Sequence, residues 1–385
     1  MNNFTYLNPT KIHFGKGQIA QLAHEISPNA RILITYGGGS VERNGVLAQV
    51  RSALKGFTCF EFGGIEPNPH FETMLKALEI VKAQDINFLL AVGGGSVIDG
   101  TKFLAAAARS TDDPWKIMLT HGTKIESALP LGCVLTLPAT GSEMNGNAVV
   151  TRAETKDKLD LFSDRVRPVF SILDPETTYS LPPRQTANGV VDTFVHIVEQ
   201  YMTYPVNGQV QDRFAEGLLL NLFEDGPQVL KYPTNYDLRA NLMWTATMAL
   251  NGTLNTGVPG DWATHMIGHE LTGLYGLDHA QTLAIVLPAI WTFKQQQKRE
   301  KLLQYASRVL DIHEGSEDER VEAAILKTRR FFESLGVPTT LSGYGLSESA
   351  IPAVANKLRE HGMTALGERK DITPEAASAI LHLAL

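Results

Sequence analysis

Asp192 and His196 stand four residues apart in the segment V-V-D-T-F-V-H-I-V-E-Q, and His265, His269 and His279 follow in T-H-M-I-G-H-E-L-T-G-L-Y-G-L-D-H-A-Q. On a helix, residues i and i+4 share one face a turn apart, so two such side chains reach a single ion. A carboxylate with imidazoles suits a divalent metal such as Zn²⁺ or Fe²⁺ and needs no thiolate. The chain has 11 histidines, and four of them fall in these two short segments. A polar pair at i, i+4 is common on any helix and alone means little. Here the first pair lies among Val190, Val191, Phe194, Val195, Ile197 and Val198. Asp and His are costly to bury in such surroundings unless they are paired or ligated, which favours a metal site.

The elements that must carry these residues change character along the chain. Arg31 to Tyr36, Thr58 to Phe62 and Phe88 to Val92 read as strands. Asn44 to Lys55, Pro69 to Gln84 and Val97 to Ala108 read as helices between and after them. Further strand-like stretches come at Cys133 to Leu137, Ala148 to Thr151 and Val169 to Leu173. This alternation, with uninterrupted apolar strands, predicts a Rossmann-like α/β domain with a parallel sheet covered by helices on both faces. After Leu181-Pro182-Pro183 the strand signals nearly vanish. Long amphipathic segments follow at Ala187 to Tyr201, Gln209 to Leu230, Leu238 to Leu250, Trp262 to Tyr275 and Thr282 to Gln297. Two domains are expected: an α/β dinucleotide-binding domain over 1–181 and an all-α metal-binding and substrate domain over 182–385, which suits a chain of 385 residues.

Two glycine-rich turns punctuate the α/β half. Val92-Gly93-Gly94-Gly95-Ser96-Val97-Ile98-Asp99 joins an apolar strand to a helix. Glycines there let backbone approach a ligand closely, and the free N–H groups of the helix start suit a diphosphate. The segment is neither G-x-G-x-x-G nor a P-loop, and a plain βα turn is the bland alternative. A second turn, Gly37-Gly38-Gly39-Ser40, makes a dinucleotide favoured over a mononucleotide. It lacks the acid that usually binds an NAD ribose, and Ser40 and Arg43 could accept a 2′-phosphate. Glu42 returns a negative charge to the same loop, yet NADP is the preferred cofactor. Thr136-Leu137-Pro138-Ala139-Thr140-Gly141-Ser142-Glu143 offers hydroxyls and N–H groups that could line the same groove.

The bulk numbers exclude other classes. Hydrophobic residues make up 43%, charged residues 19% and the net charge is −7 with no basic block, so nucleic acid and anionic membrane surfaces are not expected partners. Apolar runs are strand-sized, which predicts no transmembrane span. The start M-N-N-F-T-Y-L-N-P-T-K lacks a signal-peptide pattern. The two cysteines, Cys59 and Cys133, have no metal-motif spacing. A cytoplasmic protein without disulfides is expected.

Together these motifs resemble the iron-type (group III) alcohol dehydrogenase family, within it the bacterial NADPH-dependent broad-range aldehyde reductase and butanol dehydrogenase branch. The resemblance runs along nearly the whole chain: F-G-K-G at Phe14 to Gly17, G-G-G-S-x-x-D ending at Asp99, L-P-A-T-G-S-E, N-G-V-V-D, and H-x₃-H-x₉-H closing in D-H-A-Q. It implies a dehydroquinate synthase-like fold of a Rossmann-like domain followed by an all-α domain. It also implies that Asp192, His196, His265 and His279 are the metal ligands, and that His269 is a nearby catalytic histidine able to pass a proton. Gly93, Gly94, Gly95 and Ser96 then match the pyrophosphate loop. Asp99 matches a catalytic and cofactor residue on the nicotinamide side. Gly37, Gly38 and Ser40 match the region around the adenosine 2′-phosphate, and Thr136, Thr140, Asn145 and Lys158 match groove positions. Glu42-Arg43 stands where relatives often carry lysines, and Met144 stands where a smaller polar residue is expected. The implied activity is reversible hydride transfer between NADP(H) and short- to medium-chain aldehydes or alcohols, with the metal polarising the carbonyl, in a homodimer.

Three rivals fit less well. A relative acting on a phosphorylated substrate needs cations near the metal, and Trp244 to Leu277 contains no Lys or Arg. A zinc-water hydrolase has no use for two glycine-rich strand ends. A structural metal in a binding module would favour cysteine ligands over an open Asp/His set.

Overall fold

The computed structural model describes residues 1–385. The chain folds into two compact units, one built from Leu7–Pro182 and Pro233–Thr247, the other from Met1–Tyr6, Pro183–Tyr232 and Met248–Leu385.

The first unit is α/β. Its strands are β1 (Lys11–Phe14), β2 (Arg31–Tyr36), β3 (Thr58–Phe62), β4 (Phe88–Gly94), β5 (Leu131–Leu137), β6 (Asn147–Arg152), β7 (Asp157–Phe162) and β8 (Phe170–Leu173). Its helices are α1 (Leu22–Glu25), α2 (Ser40–Arg43), α3 (Val46–Ala53), α4 (Phe71–Ala83), α5 (Gly95–Ala107) and α6 (Trp115–Leu119). Six strands form one sheet in the order β1-β8-β5-β4-β2-β3, and every neighbouring pair is parallel. Side chains alternate across a strand, so an apolar run such as Ile32-Leu33-Ile34 serves both faces at once. Ile32, Ile34, Leu90 and Val92 pack with Leu22, Val46, Leu47 and Val50 on one side. Leu33, Leu89 and Ala91 pack with Met74, Leu78, Ile98 and Phe103 on the other. The two separate cores are why the sheet is doubly wound.

Two features differ from the sequence-based expectation. The stretch Ala148 to Thr151 does not join the parallel sheet. It lies in β6, which pairs antiparallel with β7 as a separate two-stranded ribbon. The partner D-K-L-D-L-F alternates charge with leucine, so it has no apolar run to announce it. The helix expected over Asn44 to Lys55 runs from Val46 to Ala53, and a separate short helix at Ser40–Arg43, not expected from the sequence, precedes it with Gly45 at φ +82° between them.

The second unit is helical. After α7 (Pro183–Tyr201) and α8 (Gln209–Lys231), the chain runs through α9 (Tyr236–Ala249), which begins in the α/β unit. It then continues with α10 (Ala263–Tyr275), α11 (His279–Phe293), α12 (Arg299–Arg308), α13 (Glu317–Ser334), α14 (Ile351–Glu360) and α15 (Pro374–His382). Helix α7 is buried along nearly its whole length and packs on α8 and α11. Phe194 on α7 centres an aromatic cluster with Phe223, Phe331 and Phe332, ring centroids 5.1–5.9 Å from its own. Such pairs fix the rotation of α7, and with it the face that carries Asp192 and His196. Residues Met1–Tyr6 belong to this unit, with the Asn2 amide donating to the Gly257 carbonyl at 2.8 Å. No helix is long and apolar enough to cross a membrane.

Within the sheet, Gly132 of β5 lies opposite Phe170 of β8, and a Cβ there would stand 2.4 Å from the Phe170 ring. Overpacking a filled core costs about 1–3 kcal/mol. Gly132→Ala is expected to lower unfolding free energy by that amount, read from the denaturant midpoint; an unchanged midpoint would contradict this packing.

Candidate metal and cofactor sites

In the helical unit, Asp192, His196 and Glu199 stand on one face of α7 at i, i+4 and i+7. Helix α10 adds His265 and His269, and α11 begins with His279. The start of α11 is fixed by a capping box, in which Asp278 and Gln281 satisfy each other's backbone N–H groups. Asn188 of α7 also donates to Asp278 at 2.8 Å, which ties the His279 end of α11 to the ligand helix.

The donor atoms converge. Asp192 Oδ1 lies 3.5 Å from His196 Nδ1, 3.9 Å from His265 Nε2 and 3.6 Å from His279 Nε2. His265 Nε2 and His196 Nε2 are 3.1 Å apart. Asp192, His265 and His279 each offer one donor atom within 4.8 Å of the others, a spread that a single ion can bridge, while His196 meets this group through two different nitrogens, Nδ1 toward Asp192 and Nε2 toward His265. Asp192, His196 and His265 are buried, while His279 keeps 22% of its side chain exposed. That leaves one side of the cluster accessible, as a catalytic metal requires.

Glu199 completes the cluster from behind. Its side chain is 2% exposed, its Oε2 meets His265 Nδ1, and its Oε1 accepts the Thr264 amide at 2.7 Å. A carboxylate behind a ligating imidazole fixes its tautomer and raises its basicity. Burial alone would lower the His265 pKa, but the carboxylates of Glu199 and Asp192 outweigh it and hold the imidazole up at about 9. Two carboxylates this deep call for positive charge at the cluster's centre, and a divalent cation fits the donor set. Sequence reasoning missed Glu199; its signal was the H-x-x-E spacing from His196.

His269 sits one turn beyond His265 and is buried. Its ring centroid is 6.2 Å from that of His265 and 5.2 Å from that of His279, beside the donor group rather than in it. Trp262 stands edge-on to His265 at 5.7 Å.

In the α/β unit the glycines of the second turn are each demanded by packing. A Cβ at Gly93 would stand 2.5 Å from Val97, one at Gly94 2.8 Å from Leu137, and one at Gly95 2.6 Å from Thr140. The end of β4, the start of α5 and the loop after β5 therefore press together only without side chains. The first turn differs. A Cβ on Gly37 would meet Val97 at 3.7 Å, which puts both turns beside one residue, while Gly38 faces open space. Arg43 approaches the turn, its Nη1 3.3 Å from where a Gly39 Cβ would be. Ser40 opens α2 at its edge.

Around α5 the remaining expected residues form two hydrogen-bonded groups. Ser96 Oγ accepts the Asn68 amide at 3.2 Å, and Lys158 donates to Asn68 Oδ1 at 2.9 Å. Asp99 is buried, with Oδ1 accepting from Ser142 Oγ at 2.6 Å and Oδ2 from the Val149 amide at 3.0 Å. Asn145 Nδ2 donates to the Thr140 carbonyl at 3.3 Å. Thr136 lies on β5, buried. Sequence reasoning missed the centre of the second group, Lys102, three residues after Asp99. Its ammonium donates to Ser142 Oγ at 2.8 Å, Asn145 Oδ1 at 3.0 Å and the Asn147 carbonyl at 2.7 Å. All three donors are satisfied, so Lys102 ties α5 to the 142–147 segment.

A glycine-turn nucleotide fold and a thiolate-free Asp/His cluster in one chain are the marks of the metal-dependent alcohol dehydrogenases. The sequence matches the iron-containing alcohol dehydrogenase family over residues 9–175 and the C-terminal region of the Fe-containing family over 186–385. The chain belongs to the iron-containing alcohol dehydrogenase family. It is 63% identical to the NADPH-dependent aldehyde reductase YqhD of Escherichia coli K12, covering 100% of both chains. It is 42% identical to a probable NADH-dependent butanol dehydrogenase of Bacillus subtilis, again over 100% of both. The crystal structure of E. coli YqhD superposes with a TM-score of 0.99 at 62% identity, covering 100% of this chain and 99% of that one. NADH-dependent butanol dehydrogenase A of Thermotoga maritima superposes with a TM-score of 0.96 at 36% identity, with the same coverage.

Burial pulls the Lys102 ammonium down to about 8, against the attraction of Asp99. The unfolded chain then binds more protons than the folded one between pH 8 and about 10.5, so this lysine's contribution to stability rises with pH across that window. Lys102→Met is expected to remove that rise. Denaturant midpoints at pH 7.5 and pH 10 should show the parent gaining on the variant at the higher pH; parallel midpoints would contradict it.

Proposed function

We propose that this chain is a metal-dependent, NADP(H)-linked alcohol dehydrogenase that works as an aldehyde reductase, transferring hydride reversibly between NADPH and short- to medium-chain aldehydes. The carrying observation is the Asp192–His196–His265–His279 cluster, buried except at His279, with Glu199 behind it. When bound, Zn²⁺ or Fe²⁺ supplies Lewis-acid polarisation of the aldehyde oxygen, and the nicotinamide supplies hydride.

The chain's own residues hold and orient these groups. Asp192, His196, His265 and His279 hold the ion, and Glu199 fixes the His265 ring. The α/β unit, Leu7–Pro182 with Pro233–Thr247, acts as the dinucleotide-binding domain and the helical unit as the metal and substrate domain. Gly93, Gly94, Gly95 and Ser96 present backbone N–H groups to the diphosphate. Gly37, Gly38 and Ser40 receive the adenosine ribose and its 2′-phosphate, with Arg43 as the nearby cation. Thr136, Thr140, Asn145 and Lys158 line the groove, and Asp99 acts on the nicotinamide side through the Ser142 and Val149 segment it holds. His269, beside the donor cluster, holds the proton that the product hydroxyl needs. The enzyme works in the cytoplasm as a homodimer on a small aldehyde or alcohol.

The test is nicotinamide absorbance with purified protein, NADPH and butanal, with and without chelator, and repeated with NADH. Chelator-sensitive NADPH oxidation is expected, faster than with NADH. Asp192→Ala and His265→Ala should each lower turnover at least about a hundredfold, roughly 3 kcal/mol of lost transition-state stabilisation. Turnover retained in either variant, or no oxidation across short aldehydes after metal is restored, would overturn the reading.

A further inference from the structure

The N-terminal end of α10, which carries His265, is held in an unusual way. Trp262 precedes the helix at φ +60°, a left-handed conformation that is costly for a bulky side chain. Such a turn persists only where its surroundings over-determine it. Here the Asp261 amide donates to the Glu199 carbonyl at 2.8 Å, and Asp261 Oδ1 accepts the Ala263 amide at 3.2 Å. The other carboxylate oxygen, Oδ2, accepts from Lys298 at 2.7 Å.

Lys298 precedes α12, far in sequence from the ligands, and its side chain is 3% exposed. Its ammonium has three donors, and each finds a different segment. One goes to Asp261 Oδ2, one to the Met202 carbonyl at 2.7 Å, and one to Glu368 Oε1 at 3.0 Å. Met202 directly follows α7, the helix of Asp192 and His196. Asp261 directly precedes the turn into α10. The third segment closes over the same spot, because a Cβ on Gly367 would stand 3.3 Å from Asp261 Oδ1. Burial pushes the Lys298 ammonium down, but Asp261 and Glu368 more than offset it, so it stays charged.

We propose that Lys298 is a positioning residue of the metal centre: through Asp261 it holds the turn that opens α10, and through the Met202 carbonyl it fixes that turn to the end of α7. The inference rests on the metal reading above. Without Lys298, Asp261 and Glu368 are left as buried like charges with no counter-ion, and they separate. The turn then relaxes and His265 leaves its register with Asp192 and His196.

The experiment measures Zn²⁺ affinity of metal-stripped protein by competition with a chromophoric chelator, beside the thermal midpoint of the same apoprotein. Lys298→Met and Asp261→Asn should each weaken Zn²⁺ binding about 10–100-fold, the range for outer-shell partners, with NADPH affinity within about twofold of the parent. Lys298→Arg, which keeps the charge and donors, should recover part of the loss. Lys301→Met serves as the control. It breaks another ion pair of the same unit with a buried lysine, Lys301–Asp212 at 2.5 Å, and should lower the midpoint while leaving Zn²⁺ affinity within about twofold. Parent-like affinity in Lys298→Met, or equal weakening in Lys301→Met, would overturn the inference. Should Lys298→Met not fold, Asp261→Asn decides in the same way. A parent protein that takes up neither Zn²⁺ nor Fe²⁺ would instead sink the metal reading itself.

Discussion

Asp192 and Glu199 are carboxylates two turns apart on one helix, both almost without solvent. Buried carboxylates of this kind are tolerated only with positive charge or a full set of donors close by. The helical unit is arranged around that need. Imidazoles from α7, α10 and α11 surround Asp192, while the Thr264 amide and His265 take up Glu199. The aromatic cluster on Phe194 locks the rotation of α7 from its other side. A cation at the focus of these nitrogens relieves the same electrostatic cost that the fold creates by burying the helix. The metal site and the packing of the unit are thus one constraint seen from two sides.

The α/β unit solves a different problem. A turn made of glycines has no side chains of its own to fill the space behind it. Gly93, Gly94 and Gly95 therefore let Val97, Leu137 and Thr140 close in from behind. What replaces the missing side-chain packing is polar: Asp99, Ser142, Lys102 and Asn145 form a buried network joining α5 to the following segment. Such a network specifies one geometry because each member left unmatched would be costly. Lys102 and Lys298 play parallel parts, each a buried ammonium whose three donors reach three separate acceptors.

How far the sequence discloses this depends on whether a residue's role is local. The central parallel strands were legible because each is apolar on both faces, so Phe88 to Val92 reads as an unbroken run, whereas the edge strand β1, K-I-H-F with its ends exposed, was not read. The Asp192/His196 pair stood out because i, i+4 spacing on a helix is itself geometry, and the resemblance implied the four-ligand set with His269 beside it. Strand β7 was hidden because a ribbon with one wet face needs only alternate leucines. Glu199 was passed over although its spacing from His196 places it on the ligand face; Lys102 and Lys298 were hidden for another reason. Nothing within a helical turn says that a charged residue points inward, since its partners arrive from far along the chain. Met202, Asp261 and Glu368 are spread over more than 160 residues (about five average helices and their links would span less). The same non-locality explains why Pro233–Thr247 packs with the α/β unit although it follows two helices of the other.

On the proposed reading the first glycine turn receives the adenosine end of the cofactor, and its charges bear on the choice between NADPH and NADH more than its glycines do. Glu42 alone would repel a 2′-phosphate. In the fold, Arg51 reaches it at 3.5 Å while also gripping Glu61 through Nε and Nη2, both at 2.7 Å. The bidentate pair holds the Glu61 carboxyl below its usual range and keeps Arg51 in place beside Glu42. An exposed contact such as Glu42–Arg51 adds little stability, but its electrostatic effect on a neighbour is not small on the scale that matters here. One decade of discrimination between NADPH and NADH needs only about 1.4 kcal/mol. Arg43 Nη1 and Glu42 Oε2 lie 3.3 and 3.7 Å from where a Gly39 Cβ would be, so guanidinium and carboxylate stand side by side at the turn. The open space over Gly38 then leaves room for a phosphate where a side chain would otherwise stand. On the proposed reading, a preference for NADP requires Arg43 to outweigh a carboxylate that Arg51 only partly draws off.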